Sequence, residues 1–307
     1  MIEKLRSEIN SCFVGKEKVV EDVLTCVLAG GHILLEDVPG VGKTTLSKAL
    51  AKALGLDFGR IQFTPDTLPS DVVGLSVFNM KTGEFEFHEG AVMHQIILAD
   101  EINRTSPKTQ SALLEAMAEG QVSADGNLLA LPNPFIVIAT QNPIEYMGTY
   151  PLPEAELDRF MMKLSIGYPP MEKEILMVRN NLENHKPDGV NTVSSKEELL
   201  AARKAVSEVQ ISEQVLTYIY NIVNMTREET RFVTGASPRA FIALTKASQA
   251  RAYLNGRGFV TPDDVKAVAV NVLHHRISLS QEARVRKEDV NKILNMILVT
   301  ANVPMKQ

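Results

Sequence analysis

In the first half of the chain the apolar residues come in short, nearly unbroken runs. These are HILLE at 32–36, RIQF at 60–63, QIILAD at 95–100, FIVIAT at 135–140 and KLSI at 163–166. A strand with one wet face alternates apolar and polar residues, whereas a strand covered on both faces does not. Doubly covered strands belong to parallel sheets flanked by helices. Stretches with helical spacing separate the runs, which predicts an α/β domain over residues 1–167. One such helix runs from Thr44, with Leu46, Leu50 and Leu54 on one face and Gly55 at its end.

The second half, 168–307, has a different texture and reads as all-helical. Ser195 with Glu198 forms a capping box. Ser237-Pro238 and Thr261-Pro262 each set a capping residue before a proline at the first helical position. Tyr168-Pro169-Pro170 is the natural joint, because proline disfavours helix in the residue before it.

Composition narrows the classes. The 307 residues are 45% apolar and 22% charged, as in ordinary globular proteins, and suffice for roughly two domains. The net charge of −5, the absence of Trp and a 6% aromatic content disfavour a nucleic-acid binder, so no nucleic acid is expected as partner. Cys12 and Cys26 are too few and too isolated for a disulfide framework or a zinc site, and both are expected to be reduced. The six histidines suggest no metal set; His274 and His275 are adjacent, so on a helix they face different ways. No apolar run approaches the ~18 residues of a membrane helix. The opening MIEKLRSEIN lacks the apolar core of a signal peptide. A cytoplasmic location is expected.

Chemistry concentrates at the ends of the apolar runs. Pro39-Gly40-Val41-Gly42-Lys43-Thr44-Thr45 follows the first run and opens a helix. A glycine turn lets backbone N–H groups wrap phosphates, and the helix points its positive end at them. Lys43 would reach the β- and γ-phosphates and the Thr44 hydroxyl would bind Mg²⁺. The usual pattern has glycine where Asp37 stands; Asp tolerates unusual backbone angles better than most residues. The third run ends in Asp100-Glu101. Asp100 would hold Mg²⁺ and Glu101 would polarise the attacking water as general base.

Gly40–Thr44 with Asp100-Glu101-Ile102-Asn103-Arg104 resembles the MoxR family of AAA+ ATPases. Further matches to its pattern are Val14-Gly15-Lys16, Arg60–Thr64, Thr140–Pro143, Leu152–Phe160 and Gly235–Ala240. The resemblance covers almost the whole chain. It implies a P-loop AAA+ parallel-sheet core followed by a helical lid, with ATP and Mg²⁺ between them. It places Asn142 as sensor 1, Arg159 as the arginine finger reaching the neighbouring subunit's nucleotide, and Arg239 as sensor 2. Val14 and Gly15 would contact the adenine. It also implies a ring, six subunits in the reading preferred here, acting as a chaperone-like motor. Its client or adaptor would be another protein, often one with a von Willebrand factor A domain.

Two hairpins fit the same resemblance. Val77–Met80 and Glu84–Phe87 flank Lys81-Thr82-Gly83, and Gln121–Leu131 centres on Asp125-Gly126, a strong turn signal. In related motors such hairpins face a central pore and touch the client. Two other readings stay open: a nucleic-acid motor, since helicases and clamp loaders share the core, and a non-hydrolysing nucleotide switch.

Overall fold

A computed structural model of the chain describes residues 1–13, 15–124, 127–143, 149–182 and 189–303. Val14 and the Asp125-Gly126 turn lie outside the described residues. By internal packing the chain divides into two compact units, each assembled from separate segments. The first comprises Met1–Glu21, His32–Leu152 and Leu164–Leu200; the second comprises Asp22–Gly31, Pro153–Lys163 and Ala201–Gln307.

The first unit is built on the apolar runs. In chain order its elements are α1 (Ile2–Cys12), α2 (Glu17–Leu28, which crosses into the second unit), β1 (Ile33–Glu36), α3 (Lys43–Leu54), β2 (Phe58–Gln62), α4 (Pro69–Val73), β3 (Gly74–Asn79), β4 (Glu84–Glu89), β5 (Ile96–Asp100), α5 (Pro107–Glu119), β6 (Gln121–Ala124), β7 (Asn127–Ala130) and β8 (Ile136–Gln141). The chain continues through α6 (Glu154–Leu157), β9 (Met162–Leu164) and α7 (Met171–Leu182). All five strands expected from the runs form, and they make one sheet in the order β2-β5-β8-β1-β9. The pairings β2–β5, β5–β8 and β8–β1 are parallel.

Burial explains why these segments are strands. Ile33, Leu34, Leu35, Ile96, Ile97, Leu98, Ile136 and Val137 have no exposed surface. Each large side chain so buried contributes roughly 1.5–3 kcal/mol, which favours apolar residues on both faces of the central strands. Helix α3 covers the sheet with Leu46, Leu50 and Leu54, also fully buried, and ends at Gly55 in the left-handed conformation. Helix α5 starts at Ser106, whose hydroxyl accepts from the Thr109 N–H, and stops at left-handed Gly120.

The strand order reverses beside β1: β2, β5 and β8 fill one side in turn, and the chain then crosses to β9 on the other. Such a switch point leaves a crevice at the carboxyl ends of the strands, where open α/β sheets bind ligands. The loop after β1, Asp100 at the end of β5, Gln62 at the end of β2 and Asn142 just past β8 all meet this edge.

The first hairpin forms as expected, β3 pairing with β4 so that Phe78 stands opposite Phe85. The second pairs β6 with β7, from Gln121↔Ala130 to Ala124↔Asn127.

The second unit is helical: α8 (Lys196–Ser207, entered from the first unit), α9 (Glu213–Glu228), α10 (Pro238–Leu254), α11 (Pro262–Leu273), α12 (Gln281–Val285) and α13 (Val290–Thr300). The helices are joined by a short antiparallel ladder between β10 (Phe232–Thr234) and β11 (Ser278–Leu279). The expected caps are present. Ser195 and Glu198 exchange bonds, Ser237 Oγ accepts from the Ala240 N–H, and Thr261 forms a capping box with Asp264. Cys12 and Cys26 are free thiols. Among the described residues no helix is long and apolar enough to cross a membrane.

Candidate functional site

The loop from Asp37 to Gly42 turns on two glycines. Gly40 has φ +87° and Gly42 φ +96°, a region that L side chains rarely enter. A Cβ on Gly42 would also meet the Phe13 ring at 3.0 Å, whereas one on Gly40 would meet nothing. Gly42 caps α3 without a side-chain bond, so the first N–H groups of the helix are left for a ligand. Val41 turns inward and is buried, while Pro39, Thr44 and Thr45 line the open cleft.

Lys43 stands at the first position of α3. Burial pushes its ammonium below the usual lysine range, and Asp37, Asp100, Glu101 and Glu36 oppose the shift. Its Nζ donates to the Asp37 carbonyl oxygen. Four nearby carboxylates suit a cation that must stay charged in a half-covered place.

Asp37 does not exploit unusual backbone angles. Among the described residues only Glu101 and Lys287 are non-glycines with positive φ. The carboxylate is instead buried, accepting from Ser165 Oγ at 2.9 Å, from Gly167 N–H at 3.1 Å and from Ile166 N–H. The loop's missing glycine is thus a clamp on the segment after β9.

The two acids are held differently. Asp100 Oδ1 accepts from Thr140 Oγ1 at 2.7 Å and Oδ2 accepts from Arg60 Nη2 at 2.7 Å. Glu101 follows in the left-handed conformation, φ 58° and ψ 50°, which is costly for a residue with a side chain. Its N–H donates to Thr140 Oγ1 at 2.8 Å. Its Oε2 accepts from Gln62 Nε2 at 2.7 Å and lies 3.3 Å from Arg104 Nη1. Thr140, fully buried, therefore joins the two acids.

The glycine loop, Lys43, the two acids, Arg60, Gln62 and Arg104 line one cleft of about 600 Å³, together with Asn142. Asn142 is buried and its carbonyl lies 3.5 Å from Asn103 Nδ2. Backbone donors, a cation and two carboxylates at one edge fit a polyphosphate carrying a divalent ion. The volume falls within the usual range for small-molecule sites.

Not every expected residue is there. Gly15 has φ +79°, packs toward Lys173 and Pro170, and does not line the cleft. Arg159 and Arg239 belong to the second unit, and both are exposed. Arg60, Gln62 and Thr140 lie in stretches that match the family pattern but were given no role from the sequence, although they hold the two acids. A period-2 signal marked the first pair: in β2 Gly59 and Ile61 are buried while Arg60 and Gln62 share the open face. His32 has an ordinary core role, with Nδ1 accepting from the Val137 N–H.

The relatives agree with this arrangement. Residues 32–162 match the model of the ATPase family associated with various cellular activities (AAA), and residues 224–297 match the AAA lid domain. The chain is 48% identical over all of its length to the uncharacterized protein YeaC of Bacillus subtilis, covering 96% of that protein. It is 37% identical over 99% of its length to chaperone MoxR1 of Mycobacterium tuberculosis, covering 82% of it. With protein MoxR of Paracoccus denitrificans the figures are 30% identity over 96% of this chain and 94% of the other. A crystal structure of a candidate ATPase from Cytophaga hutchinsonii superposes with TM-score 0.92 at 42% identity, covering 99% of this chain and 95% of that one. With the sheet order, the phosphate loop and the paired acids in place, these matches show that the chain belongs to the MoxR family of AAA+ ATPases.

Proposed function

We propose that the chain binds ATP with Mg²⁺ and hydrolyses it to remodel a partner protein, working as a ring of six subunits. The observation that carries this reading is the meeting, in one cleft, of the glycine loop, Lys43, the acids Asp100 and Glu101, and Asn142. Backbone N–H groups of the loop and Lys43 would hold the phosphates, and Thr44 with Asp100 would hold Mg²⁺. Bound Mg²⁺ would neutralise charge on the phosphates. Glu101 would take a proton from the attacking water, with Asn142 orienting it. Arg159 would complete the site of a neighbouring subunit and Arg239 would read the nucleotide of its own. Val14 and Gly15 would contact the adenine, beyond the phosphate cleft, on the family resemblance alone.

Hydrolysis would do work on a client. The hairpin β3–β4 offers a contact: Phe78 and Phe85 pack edge to face at 5.3 Å and stay half to three-quarters exposed, with Met80 at the tip. Exposed aromatic pairs are costly to leave wet and suit a surface that grips unfolded or loosely held segments. A partner with a von Willebrand factor A domain is the candidate client or adaptor, by analogy with the family.

The test uses two variants. Glu101→Gln should bind ATP with turnover reduced at least 100-fold, and Lys43→Ala should not bind. The Glu101→Gln form held in ATP should retain a specific protein from nuclease-treated lysate that Lys43→Ala does not. Near-normal turnover by Glu101→Gln would show that the base is elsewhere. Tight binding of added DNA instead, steeply reduced by salt, would replace the remodelling reading with a nucleic-acid motor.

A further inference from the structure

We infer that Arg276 is a positioning residue for Arg159, and that Asp158 ties Arg159 to the helix that carries Arg239. The inference rests on the proposed roles of Arg159 and Arg239 and adds how their placement is set. All the residues involved lie within the second unit.

Arg276 ends the turn after α11, and its side chain is 3% exposed. Its Nη1 donates to the Val272 carbonyl of α11 and lies 2.9 Å from His275 Nε2, and the guanidinium also reaches the residues around Arg159. Nε donates to Asp158 Oδ1 at 2.6 Å, Nη2 donates to the Phe160 carbonyl at 2.6 Å and the Asp158 carbonyl at 3.3 Å, and Nη1 donates to the Met161 carbonyl at 3.1 Å. A planar fork with five N–H groups can hold three carbonyls and a carboxylate at once; a lysine cannot. The residue after Arg159, Phe160, is fully buried, while Arg159 itself is exposed. The backbone on both sides of Arg159 is thus held in place while the residue itself stays at the surface.

Asp158 faces a second element. Its Oδ2 accepts from Ser237 Oγ at 3.2 Å. Ser237 is the N-cap of α10, and Arg239 is the second residue of that helix. One carboxylate therefore bonds both the clamp on Arg159 and the cap of the helix bearing Arg239. A shift of α10 when Arg239 meets phosphate moves Ser237 and, through Asp158, the backbone at Arg159. That passes the nucleotide state of one site to the next site in the ring. Burying the guanidinium pulls its pKa below the usual arginine range, and the bonds to Asp158 counter this.

Two variants test the inference: Asp158→Asn, which keeps shape and loses charge, and Arg276→Lys, which keeps charge and loses the fork. Melting curves establish folding. Affinity for a fluorescent ATP analogue and single-turnover hydrolysis at high protein concentration are then compared with wild type. In each folded variant the affinity stays within about threefold while turnover falls at least about tenfold, a fraction of what a whole finger supplies. In an Arg159→Ala background the same substitution lowers turnover by less than about twofold, because residues that act through one another are non-additive. A clamp that served folding alone would lower turnover equally in both backgrounds, and that result overturns the inference. So does turnover within about threefold of wild type in a folded single variant, by the same comparison. If Arg159→Ala itself turns over normally, the finger reading falls, a result distinct from failure of the clamp alone. Where neither variant folds, Ser237→Gly keeps most of the cap and removes the bond to Asp158. Reduced turnover there supports the link to α10, and unchanged turnover overturns it.

Discussion

Replacing Asp37 with glycine would restore the usual phosphate-loop residue, yet the structure says the protein would be weakened. The Asp37 carboxylate accepts three bonds, from Ser165 Oγ, Ile166 N–H and Gly167 N–H, and is 7% exposed. A bond to a charged acceptor is worth about 1.5–3 kcal/mol, and removing the acceptor leaves donors without a partner. The three share one carboxylate and are not additive, so roughly 3–5 kcal/mol is expected for the set, including the added freedom of glycine in the unfolded chain. Asp37→Asn keeps an acceptor oxygen and loses the charge, and should cost about half as much.

The chain has no Trp, so urea unfolding is best followed by far-ultraviolet circular dichroism. At a slope of about 2 kcal/mol per molar urea, the midpoint of Asp37→Gly should fall by about 1.5–2.5 M. ATP affinity, measured far below the transition, should stay within about threefold, because the positive backbone angles of the loop belong to Gly40 and Gly42. A stability change under about 1 kcal/mol would refute the clamp. A loss of affinity at unchanged stability would show that Asp37 serves the nucleotide instead.

Three further outcomes follow from particular residues. Because Glu101 sits at φ 58°, Glu101→Gly should be more stable than Glu101→Ala by about 1 kcal/mol, the reverse of the usual order, as thermal unfolding of the two would show. Burial pushes the Cys26 thiol up to about 12, with Arg203 and Arg276 only partly countering it. Cys26 should therefore resist thiol reagents at pH 8 until urea unfolds the protein, and rapid labelling of it in the native state would contradict the buried placement. At Asp264 burial would raise the carboxyl, but bonds from Arg257 and Thr261 outweigh it and hold the pKa below the ordinary aspartate value. Its contribution is then complete above about pH 4, the unfolded value, and is lost as pH falls through the lower folded value. Arg257→Gln should cost about 1–3 kcal/mol at pH 7 and make stability less dependent on pH below 4; an unchanged acid limb would refute the pairing.

What was legible in the sequence had a local cause. The five strands were visible because burial on both faces forbids polar residues, and that constraint is written in adjacent positions. The phosphate loop and the paired acids were visible because their chemistry needs fixed residue types at fixed spacing. The capped helix starts were visible for the same reason: Ser195 has Glu198 three residues on, and Ser237 and Thr261 each precede a proline at the first helical position.

What was not legible depends on distant pairs. Thr140 looks like one more residue of an apolar strand, and its function as the joint between Asp100 and Glu101 exists only because β5 and β8 are neighbours in register. Asp37 read as a defect in a motif because its partners lie some 130 residues away. Arg276 carried no signal beside two histidines, yet it reaches Asp158 across 118 residues. In each case the polar side chain is buried, and burial without a partner would be costly. A motif with an unexpected polar residue is thus better read as pointing to an unseen partner than as a weakened motif. By that rule Asp158, beside the expected finger residue, points to a bonded partner, and Arg276 is that partner.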